Sequence, residues 1–191
     1  TALHGLKFQP SFIYCVTGSI NAIPEFRVRR DSRSGRLIRY DRIYPSYTVF
    51  HEDDHTFSDI WTACDGSFFD FYEKYQQDIL AYGSVKGIKA KPDVPPNMYC
   101  ISCVPWLNFT ACSIFSHSDE PSLLPIITYG KYHAHGRKWL MPFTVSISHA
   151  AADGYHVSLL MHHVQETINA LDRLLRTPDG IPDAASWLAH V

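Results

Sequence analysis

One histidine stands where a strand-like run gives way to a helical one, in Phe143-Thr144-Val145-Ser146-Ile147-Ser148-His149-Ala150-Ala151-Ala152-Asp153-Gly154. Strand alternation puts Phe143, Val145, Ile147 and His149 on one face, so the imidazole is expected to leave the core side at the strand's end with restricted access to water. Such a place favours the neutral imidazole that a general base requires. Asp153 stands where its carboxylate caps the first turn of the next helix. Taken alone, His-x-x-x-Asp-Gly also describes a structural histidine followed by a cap, which is the commoner case.

Other reactive side chains are less well placed. There are 11 histidines, and His133-x-His135 would set two imidazoles on one strand face, a weak metal pattern. Cys100-x-x-Cys103 has no second half, and residues three apart on a strand face opposite ways, so no metal site is expected. No base is placed by the sequence beside any cysteine, which leaves a thiol nucleophile without activation. The five cysteines are odd in number and scattered, as in a reducing compartment, and the cytoplasm is expected. The run from Val85 to Pro92 carries three lysines and reads as a solvated basic loop.

The elements that position these residues follow from periodicity. Ile13, Val16 and Ile20 recur at helical spacing behind Pro10, with Pro24 just past the end. Phe26 to Arg30, Leu37 to Arg42 and Tyr47 to His51 read as short strands. Thr56 to Tyr82 has largely helical spacing broken at Gly66, which predicts two helices. Met98 to Val104, Asn108 to Ile114, Ile126 to His133 and Trp139 to Ser148 are strand candidates. From Asp153, the residues Val157, Leu160, Met161, Val164, Ile168, Leu171 and Leu175 trace one helical stripe, and a short helix is expected around Ala184 to Ala189. The sum is an α/β two-layer sandwich, one mixed β-sheet backed by helices. At 191 residues a single domain over 1–191 is expected.

Composition narrows the function. A hydrophobic share of 46% with 19% charged residues is that of an ordinary globular chain, and 14% aromatic residues supply flat walls for a core or pocket. A net charge of −2 gives no general attraction to nucleic acid or anionic membrane. No run approaches the roughly 20 apolar residues of a membrane span.

The histidine run, taken with others in the same order, resembles the chloramphenicol acetyltransferase family. Asn21-Ala22-Ile23-Pro24-Glu25-Phe26-Arg27, Tyr47 to His51, Thr56 to Trp61, Ser102-Cys103-Val104-Pro105-Trp106 and Thr128-Tyr129-Gly130-Lys131-Tyr132 match successive family blocks, so the resemblance spans Lys7 to about Asn169. It implies direct acetyl transfer from acetyl-CoA to a small-molecule alcohol acceptor, by default the 3-hydroxyl of chloramphenicol, an antibiotic inactivation. His149 is implied as base, Ser102 as oxyanion donor, Thr128 as an aid through a water and Asp153 as the turn's structural support. Lys7, Lys131 and Tyr132 are implied at the CoA nucleotide end, Trp106 at the pantetheine end, and Phe57 with Tyr47 at the acceptor end. The family is a homotrimer with sites between subunits.

Departures are visible. The family has several dozen residues ahead of the position of Lys7, among them an arginine that pairs with the aspartate matching Asp153. This chain lacks them, which implies either a trimmed sequence or another partner for Asp153. Ser148 stands for the first of two adjacent histidines, and Val104 for an asparagine. The alternatives are a transferase for another small alcohol and a non-catalytic trimeric binding protein of the same fold.

Overall fold

The structure is a computed structural model that describes residues 6–114 and 122–176. Helix α1 (Phe8–Ala22) buries Ile13, Val16 and Ile20 completely and ends where Pro24 opens a 3-10 turn, Pro24–Arg27. The next segments show what the Asn-Ala-Ile-Pro-Glu-Phe-Arg run does. The Asn21 amide donates to the Ile43 carbonyl (3.0 Å) and accepts from the Ile43 N–H (2.9 Å), joining the end of α1 to the first sheet strand. Phe26 is fully buried, and the Arg27 guanidinium donates to the carbonyls of Tyr40 and Asp41.

A hairpin of β1 (Val28–Arg30) and β2 (Leu37–Arg39) precedes β3 (Tyr44–His51), which pairs antiparallel with β4 (Thr56–Trp61). The stretch Thr56–Trp61 is thus a strand and not the expected helix. Phe57 and Trp61, four residues apart, fit both periods, and the turn decides between them. Asp54 accepts from the Thr56 N–H and hydroxyl, His55 takes φ 56°, and the chain folds back onto β3. Helix α2 (Phe68–Tyr82) starts after Gly66 with a capping box between Ser67 and Asp70.

The second half supplies β5 (Met98–Val104), β6 (Ile126–Gly130), the hairpin β7 (His133–His135) and β8 (Lys138–Leu140), then β9 (Phe143–Ser146) and α3 (Gly154–Arg176). Two expected strands are interrupted. Lys131-Tyr132 separates β6 from β7, and Met141-Pro142 separates β8 from β9, because Pro142 has no N–H for a ladder while its carbonyl accepts from Gly130 (3.0 Å). Asn108 to Ile114 forms no strand, since this segment runs irregularly past the end of β6, where Leu107 accepts from the Lys131 N–H (2.7 Å). A side chain at Gly130 would bring its Cβ to 2.5 Å from that Leu107 carbonyl, which explains the glycine. The expected helix at 184–189 lies outside the described residues.

The main sheet has the order β4-β3-β5-β6-β9, with β3, β5 and β6 parallel and the two outer strands antiparallel. Register makes Ile60, Tyr47, Ile101, Ile127 and Val145 one row across all five strands. This row faces the helices: Tyr47 stacks on Tyr75 of α2, while on the same sheet face Tyr129 meets Phe12 of α1. Helix α3 packs Leu160 and Val164 into the same core. The α/β two-layer architecture is therefore as expected.

Candidate active site

The strand register also defines the sheet's other face. Asp59 and Thr48 are partners on β4 and β3, and Ser102, Thr128 and Thr144 are successive partners on β5, β6 and β9; a side-chain contact between Thr48 and Ser102 joins them, so one polar row crosses the sheet on the side turned away from the helices. The Thr48 and Ser102 hydroxyls are 3.2 Å apart, Thr128 is buried, and the Thr144 hydroxyl donates to the Thr128 carbonyl (3.3 Å). Ser102 and Thr128, two residues singled out from the sequence, are direct neighbours here. Thr48 was not singled out. Its signal was its parity on β3, which has meaning only once β3 is known to lie beside β5.

At the C-terminal ends of β3, β5 and β6 a cleft of about 760 Å³ opens between the start of α1 and the end of α2. Ser102, Phe57, Trp106, Lys131 and Tyr132 all line it, joined by Phe8, Gln9, Phe50 and Tyr129, which sequence reasoning did not single out. Trp106 meets Phe50 edge-on (4.8 Å) and Phe8 lies against Tyr132, so one wall is aromatic while Lys131 puts a cation at the mouth. Lys7 is exposed beside Phe8 but does not line the cleft, and its N–H donates to the Tyr72 hydroxyl. Tyr47 corrects the sequence reading more sharply. It is fully buried on the helix side, with its hydroxyl on Thr62 (2.9 Å), because its odd position on β3 points it into the core.

His149 is placed differently from the expectation too. Strand β9 ends at Ser146, and the residues that follow leave the pleat for a turn in which the Ser148 carbonyl accepts from Ala151 (2.9 Å) and Ala152 (3.2 Å). Alternation no longer applies there, and the imidazole is exposed within one chain, its Nδ1 at 3.4 Å from the Ala152 carbonyl. Asp153 caps α3 as expected, Oδ1 accepting from the N–H of Tyr155 (3.0 Å) and His156 (3.3 Å). The His156 N–H, then the His156 side chain, hold this carboxyl below the usual carboxylate range.

Because β9 runs against β6, it delivers His149 beyond Ser146, the partner of Ile126, at the opposite end of the sheet from the cleft. Ser102 pairs with Thr128, two residues further into β6, so the separation along the strands is on the order of 10 Å or more. One chain therefore holds the hydroxyl row and the cleft together but keeps its histidine apart from them.

His133 and His135 stand on β7, and among the described residues no three His, Cys, Asp or Glu side chains gather as metal ligands. Among those residues no helix is long and apolar enough to cross a membrane. Cys100 lies on the outward sheet face and Cys103 on the inward one, lining the cleft.

This sheet-and-helix arrangement is one shared by acetyltransferases. A solved chloramphenicol acetyltransferase superposes with a TM-score of 0.76 at 24% identity, over 87% of this chain and 80% of that one. A probable dihydrolipoamide acetyltransferase from Listeria monocytogenes does so with a TM-score of 0.60 at 13% identity, over 86% and 71%. At such identities the likeness is one of fold. The sequence comparison is more specific: the chloramphenicol acetyltransferase family pattern matches residues 1–165. A chloramphenicol acetyltransferase of Clostridium perfringens is 42% identical over 86% of this chain and 74% of its own length. One from Campylobacter coli is 37% identical over 86% and 79%. The chain belongs to the chloramphenicol acetyltransferase family.

Proposed function

We propose that this acyltransferase moves the acetyl group of acetyl-CoA to the 3-hydroxyl of chloramphenicol by direct attack, with His149 as base. His149 takes the hydroxyl proton as that oxygen bonds to the thioester carbonyl carbon. The carbonyl oxygen gains negative charge, and the Ser102 hydroxyl donates to it, with Thr128 beside it in the row. Breaking the carbon–sulfur bond expels the CoA thiolate, which recovers the proton from the imidazolium. Donation to an oxyanion is typically worth ~3–4 kcal/mol, and general base catalysis ~10²- to 10⁴-fold.

The observation that carries this reading is the position of Ser102, which stands at once in the hydroxyl row and on the wall of the cleft. The cleft's aromatic wall, with Trp106, suits an apolar pantetheine arm, and Phe57 suits the acceptor ring. Lys131 and Tyr132 at the mouth, with Lys7 beyond them, suit phosphates and adenine. Acetyl-CoA supplies the activated acyl group, and no resident metal is invoked.

The separation of His149 from the cleft supports a homotrimer in which the histidine of one subunit faces the hydroxyl row of the next. The five free cysteines support a reducing compartment, the cytoplasm.

The test is CoA release from acetyl-CoA with and without chloramphenicol, comparing wild type with a folded His149→Ala variant. Release that depends on chloramphenicol and is lost in the variant is expected. Release with other small alcohols alone would overturn the acceptor, and undiminished release by His149→Ala would overturn the base.

A further inference from the structure

Asp153 does more than cap α3. The Nδ1 of His156 lies 2.7 Å from Asp153 Oδ1, and the Nε2 of the same ring lies 3.8 Å from Glu25 Oε1. A nitrogen and a carboxylate oxygen at 2.7 Å need a proton between them, so Nδ1–H donates to Asp153. The Asp153 N–H, at 3.3 Å from that nitrogen, then finds no lone pair there. Glu25, on the 3-10 turn Pro24–Arg27, stands too far from Nε2 for a hydrogen bond, so the bond to Asp153 is what ties the ring to the α3 cap. The Tyr155 ring packs edge-on against the imidazole.

This bond sits at one end of the turn that carries His149. Ala152, buried in the main core, directly precedes Asp153, and its carbonyl lies 3.4 Å from the His149 Nδ1. The turn is closed by the Ser148 carbonyl at its start and held by Ala152 and Asp153 at its end. Any rotation of Asp153 about its backbone swings the Ala152 carbonyl, and the imidazole aimed by it moves in turn.

We propose that His156 is a positioning residue for His149: by donating from Nδ1 to Asp153 it locks the far end of the Ser148–Asp153 turn and so sets the imidazole's direction. This rests on the reading of His149 as the base. Asp153 is half exposed (51%), so this contact adds little to global stability, and its effect is on geometry.

The test compares His156→Leu with His156→Asn, whose amide nitrogen can take the place of Nδ1 as donor. His156→Leu is expected to lower kcat about tenfold, since a misaimed catalytic group loses one to two orders of magnitude. KM for both substrates should stay within about twofold and the urea midpoint should not move, while His156→Asn regains most of kcat. An unchanged kcat in His156→Leu, a change confined to KM, or equal losses in both variants would overturn the proposal. If the wild type acetylates no alcohol, the fault lies with the reading of His149. Amide hydrogen exchange over residues 148–153 then decides the role of the His156–Asp153 bond: faster exchange in His156→Leu upholds the locked turn, and identical exchange rejects it.

Discussion

A hydroxyl carries one proton to donate and two lone pairs to accept with, and this constrains how Ser102 can act. If Ser102 is to donate to a developing oxyanion, its bond with Thr48 must run the other way, the Thr48 hydroxyl donating to the Ser102 oxygen across 3.2 Å. Thr48 therefore orients the serine's proton. Ser102→Ala should lower kcat by about 10²- to 10³-fold, the usual loss on removing an oxyanion donor. Thr48→Val, which keeps the side-chain shape and deletes the hydroxyl, should cost about three- to tenfold, as expected for losing one supporting hydrogen bond of ~1 kcal/mol. Steady-state kinetics on both variants checks this, and an unaffected Thr48→Val enzyme would show that Ser102 needs no such partner.

At the level of elements, the basic loop is solvated from Val85 to Lys89 as expected, but at Ala90 and Lys91 it becomes a strap over the outer edge of the sheet. The Ala90 N–H donates to the Asp59 carbonyl on β4 (3.0 Å), covering backbone that would otherwise be an open edge. Lys91 pairs with Asp78 of α2 (2.8 Å) and stands 4.0 Å over the Trp61 ring, and Asp78 also accepts from Thr62, the partner of Tyr47. Both charged groups are mostly buried, so deleting one strands the other. Lys91→Met should destabilise the fold by about 2 kcal/mol, below the full cost for a wholly buried pair because some solvent reaches both ends. A urea unfolding midpoint reads this directly.

The β3–β4 turn offers a second prediction at the same scale. The Thr56 hydroxyl, then Lys86, lower the Asp54 carboxyl to about 2. A carboxyl whose folded value lies below its unfolded one stabilises the turn above the ordinary carboxylate range and loses that contribution as pH falls through about 2. A carbon-detected NMR titration of Asp54 should show a midpoint near 2 in the wild type. In Thr56→Val the midpoint should move upward.

For the molecule as a whole, cleft and His149 stand at opposite ends of the sheet, and on the proposed reading assembly is a condition of activity. His149→Ala and Ser102→Ala subunits should each be inactive alone, yet a 1:1 mixture unfolded and refolded together should regain about a quarter of wild-type activity. That is the fraction of head-to-tail contacts in which an intact histidine meets an intact serine. Sedimentation should give three times the 21.8 kDa chain mass. Recovery of no activity from correctly assembled mixed oligomers would place both residues of a site in one subunit.

Several parts of this protein were legible in the residue order because they depend on local chemistry. The stripe from Val157 to Leu175, the cap at Asp153, the break at Gly66 and the runs that became β5 and β6 follow from period, propensity and turn residues, which act within a few positions. Thr56 to Trp61 was not legible as a strand, since its aromatic residues fit two periods and only pairing with β3 chose between them. Nor was the irregular course of Asn108 to Ile114, whose β-type residues form no ladder among the described residues.

The site divides along the same line. The sequence by itself determined the order in which the family's blocks occur, and offered His149 from its place after a strand and Ser102 and Thr128 through the blocks they stand in. Only the tertiary structure decided which of these meet. Register between β3, β5 and β6 put Thr48, Ser102 and Thr128 in one row and turned Tyr47 into the core. The antiparallel course of β9 carried His149 to the other end of the sheet. Strand order and direction are properties of contacts between residues far apart in the chain, and no local pattern encodes them.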